Sequence, residues 1–159
     1  RIVAKNARIM GMNLIGNDIE ISGDNDLWGD MNIECCSFED LIHRADAITL
    51  HVPLNQETHN LFGEEEFKKM QKGSFIINTS RGGIVNEGDL LKYLKNGHLG
   101  GAMLDVFENE PVKDSTLFSG LENLILTPHI AGLTVESNVR VSQTISDKIL
   151  DFLISRGKE

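Results

Sequence analysis

Six short apolar runs recur along the chain, each followed by a stretch with helical punctuation, and no other feature restricts the fold as much. The runs are 12–16 (MNLIG), 32–36 (NIECC), 47–52 (AITLHV), 74–79 (SFIINT), 101–106 (GAMLDV) and 123–127 (NLILT). Each reads as apolar on both faces and is bounded by Gly, Pro, Asn or Asp. Buried parallel strands look like this; half-exposed antiparallel strands alternate apolar with polar. Between the runs, Ser37 with Asp40 three residues on predicts a capped helix start. The segment 64–73 places acids first, bases last and Gly73 as its stop. Asn86 opens a helix ending at Gly97, with Leu90, Leu91 and Leu94 on one face. Val135, Val139, Ile145, Ile149 and Phe152 predict one long amphipathic helix over 134–152. Strands alternating with helices predict an α/β fold, a doubly wound parallel sheet of Rossmann type with right-handed crossovers.

Composition narrows the partners. A chain of 159 residues suits one domain, and a net charge of −9 argues against nucleic acid, which requires a basic face. No run of 18 apolar residues predicts a membrane span, and no signal peptide is visible. The two cysteines, Cys35 and Cys36, are adjacent, a poor geometry for a disulfide. Reduced thiols fit a cytoplasmic protein, with one of the pair packed in a short strand; no metal site is expected.

In a doubly wound sheet the ligand lies at the carboxyl ends of the strands, so those ends carry the candidate site. Asp18 follows the first run and suits the ribose hydroxyls of NAD, repelling the 2′-phosphate of NADP; a plain turn aspartate is an equal reading. His51, inside its apolar run, reads as a structural histidine. Arg81 follows the fourth run, beside Gly82 and Gly83, which permit a tight turn against a ligand. Asp105 ends the fifth run, Glu108 and Glu110 follow it before Pro111, and His129 follows the sixth. An arginine, several carboxylates and a histidine thus converge on one edge of the sheet.

The segment INTSRGGIVNEGDLLKYLKNGHLGGAMLDVFENEP, then LENLILTPHIAGLT, closely resembles the D-isomer-specific 2-hydroxyacid dehydrogenases, and HVPLNQETHNL is similar to the family's usual segment there. The resemblance spans essentially the whole chain. It implies an NAD-dependent oxidoreductase interconverting a D-2-hydroxy acid and its 2-keto acid. Arg81 would bind the substrate carboxylate, His129 would be the acid–base group, and Glu110 its partner, preferred over Glu108 because it matches the motif. Asp105 would sit near the nicotinamide. Val52, Pro53, Thr79, Ser80, His129, Ala131 and Gly132 would line the NAD site, with Arg1 and Ile2 directly after the family's glycine fingerprint and Asp18 on the ribose. The chemistry is coherent by itself. Negative charge develops on a carbonyl oxygen as it accepts hydride, so an acid must lie within reach, and a guanidinium grips a carboxylate bidentately.

One departure is large. No G-x-G-x-x-G occurs in these residues. Residues 1–159 therefore read as a partial NAD-binding domain, its first strand missing, with a glycine expected just before Arg1. Loss of a central strand would leave the first two runs apart from the other four, with unpaired inner edges. Helix 133–155 would pack toward an absent substrate domain. The resemblance also implies a homodimer. An NAD-binding regulatory module without turnover, and an inactive fragment, are the competing readings.

Overall fold

The computed structural model describes residues 1–156. Its elements alternate as expected: α1 (Ile2–Ile9), β1 (Ile15–Gly16), α2 (Asp26–Met31), β2 (Glu34–Cys35), α3 (Phe38–Arg44), β3 (Ala47–Leu50), α4 (Glu64–Lys69), β4 (Phe75–Asn78), α5 (Glu87–Lys95), β5 (Gly101–Leu104), β6 (Leu124–Leu126) and α6 (Val135–Arg156). A 3-10 turn, Ser115–Phe118, precedes β6. Every strand pair is parallel.

The strands form two separate sheets, β1–β2 and β3–β4–β5–β6. The split falls where the sequence places it. Among the described residues β1 pairs only with β2 and β3 only with β4, so each keeps an open edge.

The larger sheet corrects one expectation. Its runs are apolar on both faces in sequence, but only one face is buried. Ile48, Ile76, Ala102 and Leu104 point into the core with Phe62, Phe67, Leu90 and Leu94. On the opposite face Ala47, Thr49, Phe75 and Ile125 are exposed. Helices α3, α4 and α5 bring Ile42, Phe67 and Leu90 to the first face. No side chain of α1 is buried, and Val135, Val139, Ile149 and Phe152 of α6 are all exposed. His51 is also corrected. Strand β3 stops at Leu50, leaving this histidine exposed beside the Thr49 hydroxyl, 3.1 Å away.

The helix starts follow their side-chain chemistry. Ser37 Oγ accepts the Asp40 amide at 3.0 Å, and Asn86 Oδ1 accepts the Asp89 amide at 2.9 Å. Glu66 reaches back to the Gly63 amide at the head of α4. That helix ends at Lys69, earlier than Gly73, which instead makes the left-handed turn before β4. Helices α1 and α2 were not expected: α1 carries Ile2, Val3 and Ile9 but buries none of them, and α2 is only six residues long. Asn25 caps α2 through Leu27 N, and Asn32 closes it in a left-handed conformation. Cys35 lies in β2, and both thiols are free and half-buried.

A one-sided core makes a direct prediction. Phe67→Ala and Leu90→Ala, each at a fully buried position, should cost about 2–5 kcal/mol in equilibrium urea unfolding. Ile19→Ala, at an exposed position, should stay within about 0.5 kcal/mol of the parent.

Candidate functional site

The carboxyl ends of β3 to β6 share one edge, and the expected residues stand along it. Arg81 follows β4 through a turn built by Asn78, a buried side chain. Asn78 Nδ2 donates to the Arg81 carbonyl at 2.9 Å, while its Oδ1 accepts the Ser80 amide and hydroxyl at 3.1 and 2.8 Å. The arginine is exposed, and its guanidinium donates to the Ser80 carbonyl at 2.7 Å. Among the described residues it makes no ion pair.

Gly82 explains part of the glycine pair. A Cβ there would lie 1.7 Å from the Phe107 carbonyl oxygen, so no side chain fits. The turn behind Arg81 therefore touches the loop that carries Glu108 and Glu110. Gly83 has φ of +78°, which glycine adopts without strain.

Glu110 and His129 meet. His129 Nδ1 lies 2.6 Å from Glu110 Oε2, and Glu110 Oε1 accepts the Phe107 amide at 2.8 Å. The histidine's hydrogen bond, then the Phe107 amide, hold the Glu110 carboxyl below its ordinary range. An ionised carboxylate only accepts, so Nδ1 is the donor and Nε2 is left for another partner. Half of the His129 side chain stays exposed. Glu108 is turned away from the histidine; its Oε1 accepts the Glu87 amide.

His129 itself has φ of +54°, uncommon for a residue with a Cβ. Asp105 holds the segment around it. This carboxylate is 1% exposed and accepts the Thr127 hydroxyl, the Ile130 amide at 2.9 Å and the Ala131 amide at 2.8 Å. Burial pushes the Asp105 carboxyl up, but Thr127, the two amides and His129 outweigh it, and the net shift is downward. The Ala131 amide is thereby occupied within the protein. Thr127, Asn78 and Glu87 were not recognised as site-building residues from sequence, and Glu108 was weighed only as the rival to Glu110. A polar residue ending an apolar run was the available signal for Asn78 and Thr127.

Most of the remaining expected residues follow β3, β4 and β6, while Asp18, Arg1 and Ile2 lie with β1 and α1. Val52 is half-buried and Pro53 exposed after β3; Thr79 and Ser80 are half-buried after β4; Gly132 is exposed. Asp18 is exposed just beyond β1, and its Oδ1 accepts the Glu20 amide at 2.8 Å. Its second oxygen is suited to a sugar diol. Arg1 stands at the N-cap of α1 without a side-chain cap, so Arg1 and the first-turn amides, Ile2 included, suit a phosphate. Both features are chemically compatible with a dinucleotide.

The chain is similar to known proteins over most of its length. The family model described as D-isomer specific 2-hydroxyacid dehydrogenase, NAD binding domain, matches residues 1–131. An (S)-sulfolactate dehydrogenase of Chromohalobacter salexigens is 44% identical over 150 residues, covering 94% of this chain and 48% of that protein. Among solved structures, an NAD-dependent formate dehydrogenase from Staphylococcus aureus in complex with NAD has a TM-score of 0.82 at 31% identity, covering 96% of this chain and 44% of that one. A D-lactate dehydrogenase from Aquifex aeolicus complexed with NAD and lactic acid has a TM-score of 0.81 at 27% identity, covering 96% and 50%. The chain thus spans about half the length of the relatives it matches.

Asp105 makes a pH prediction. A carboxyl with a lowered folded pKa contributes stability above its unfolded pKa and loses it as pH falls through the folded one. Asp105→Asn should therefore cost about 1–3 kcal/mol at neutral pH. The gap between parent and variant should narrow as the pH drops below the ordinary aspartate value of 3.8. Denaturant unfolding across that range is the check.

Proposed function

The chain belongs to the D-isomer-specific 2-hydroxyacid dehydrogenase family, in its NAD-binding domain, and on that premise we propose that it serves the interconversion of a D-2-hydroxy acid and its 2-keto acid. The observation that carries this reading is the Glu110–His129 hydrogen bond of 2.6 Å at the carboxyl edge of the sheet. A module that only binds dinucleotide has no use for an imidazole oriented by a carboxylate.

Bound NAD supplies the hydride chemistry. The protein's own part is placement and proton transfer. Arg81 binds the substrate carboxylate through its planar fork and leaves the reacting carbon beside it. His129, oriented through Nδ1, presents Nε2 to the substrate oxygen. It gives a proton as the keto acid is reduced and takes one back as the hydroxy acid is oxidised. Glu110, held ionised, stabilises the imidazolium and fixes its tautomer. Asp105 sets the backbone on which His129 stands and borders the nicotinamide. Val52, Pro53, Thr79, Ser80 and Gly132 line the cofactor, and Asp18 selects NAD over NADP at the ribose.

The partner is a small 2-keto or 2-hydroxy acid. The named substrates of relatives include sulfolactate, glyoxylate and glycerate, all short acids. Two free thiols fit a cytoplasmic location, and the bare apolar face of the sheet with α6 fits a homodimer or a further domain. No described helix is long and apolar enough to cross a membrane.

The test is NADH oxidation by the full-length protein with glyoxylate, hydroxypyruvate, 3-phosphohydroxypyruvate and sulfopyruvate. Turnover of at least one is expected; tight NADH binding without any turnover would favour a regulatory module. Arg81→Lys should lower kcat/KM for the keto acid about 100-fold while NADH affinity changes little. His129→Gln should lower kcat about 100- to 10,000-fold.

A further inference from the structure

Two glutamates outside the acid–base pair bind each other's backbone. Glu87 N donates to Glu108 Oε1 at 2.9 Å, and Glu108 N donates to Glu87 Oε1 at 2.6 Å. The pair joins the first residue of α5 to the loop after β5. Glu110, two residues further along that loop, is the carboxylate that reaches His129. The contact of Gly82 with Phe107 presses the Arg81 turn against the same loop.

We propose that Glu87 and Glu108 are positioning residues: their reciprocal clamp docks the 107–111 loop on the head of α5, and so holds Glu110 on His129 and fixes that pair relative to Arg81. Neither carboxylate touches the imidazole. A carboxylate–carboxylate neighbourhood is electrostatically unfavourable by itself, and burial, the largest cause, raises the Glu87 carboxyl, as does the charge of Glu108. The Glu108 amide is the opposing influence. Two like charges are thus kept adjacent because each satisfies an amide that is otherwise free. The Glu87 amide is in the first turn of α5, where no intrahelical acceptor exists. The Glu108 amide lies in a loop with no ladder partner. A loop that needed only solubility would leave both amides to water. Here they fix one conformation of the loop from which Glu110 reaches His129.

The proposal rests on the acid–base reading of Glu110 and His129, so one readout must be independent of turnover. A histidine Nδ1–H held on a carboxylate gives a low-field proton resonance. In the full-length protein this resonance is expected in the parent, in Glu87→Gln and in Glu108→Gln, since an amide oxygen still accepts the backbone N–H. It should be lost in Glu87→Ala and Glu108→Ala. The alanine variants should also lose about 100-fold in kcat, with KM for NADH unchanged, because a displaced acid–base pair affects chemistry more than binding. Should an alanine variant not fold, Glu108→Asp, which keeps the charge but shortens the reach, should behave as the alanine does. Alanine variants that keep both resonance and kcat would overturn the clamp. A parent that shows the resonance but turns over no keto acid would overturn the dehydrogenase reading and leave the clamp standing.

Discussion

One buried carboxylate organises the site. Asp105 directly follows β5, and its oxygens gather the Thr127 hydroxyl and the Ile130 and Ala131 amides from the segment that follows β6. That anchor, together with the His129 amide's bond to the Thr127 carbonyl at 3.0 Å, holds His129 in a left-handed backbone conformation, which carries strain for any residue with a Cβ. A buried charge is tolerated only when it is fully bonded, and here the bonding is supplied by the backbone it must position. The same strand therefore delivers two things: a core residue, Leu104, and, one position later, the acceptor that orders the neighbouring strand's end.

The sheet shows what the site must rely on from elsewhere. Helices α3, α4 and α5 cover one face with a continuous apolar core, while Phe75 and Ile125 on the other face are open. Alongside lie the exposed apolar residues of α6 and the unpaired edges of β1 and β3. Uncovered apolar surface and free strand edges both favour association. The chain spans about half the length of the (S)-sulfolactate dehydrogenase and the formate dehydrogenase it resembles, and these surfaces are open to further contacts.

The order of elements was legible because periodicity and capping agree locally. Ser37 and Asn86 cap α3 and α5, and Leu90 and Leu94 are buried as their spacing indicated. Which face of the sheet is covered was not legible, because burial on each face depends on helices far away in sequence. Phe75 and Ile76 look alike in a run, yet one is exposed and the other fully buried. At the site, the positions of Arg81, Glu110 and His129 past their strands could be read. The choice between Glu108 and Glu110 could not, since both precede Pro111 within three residues and only the loop's turn decides which faces the histidine. Asp105 could be read as a strand-end carboxylate, but not its bonds to the Thr127 hydroxyl and the Ile130 and Ala131 amides, which depend on how the segment after β6 folds back.

Charge placement explains how a chain with a net charge of −9 could receive anions. Dinucleotide phosphates and a keto acid carboxylate would all be repelled by bare carboxylates at the strand ends. Each carboxylate on that edge is instead occupied by donors. Asp105 holds two amides and a hydroxyl, Glu110 holds an amide and the imidazole, and Glu87 and Glu108 hold each other's amides. Arg81 alone among these site groups has no acidic partner and donates only to its neighbour's carbonyl. On the proposed reading its charge would serve a ligand, and a single bond to a neighbouring carbonyl would be exchanged for a bidentate carboxylate. On the proposed reading the acidic residues would set geometry and the cation affinity, so overall charge and local attraction need not share a sign.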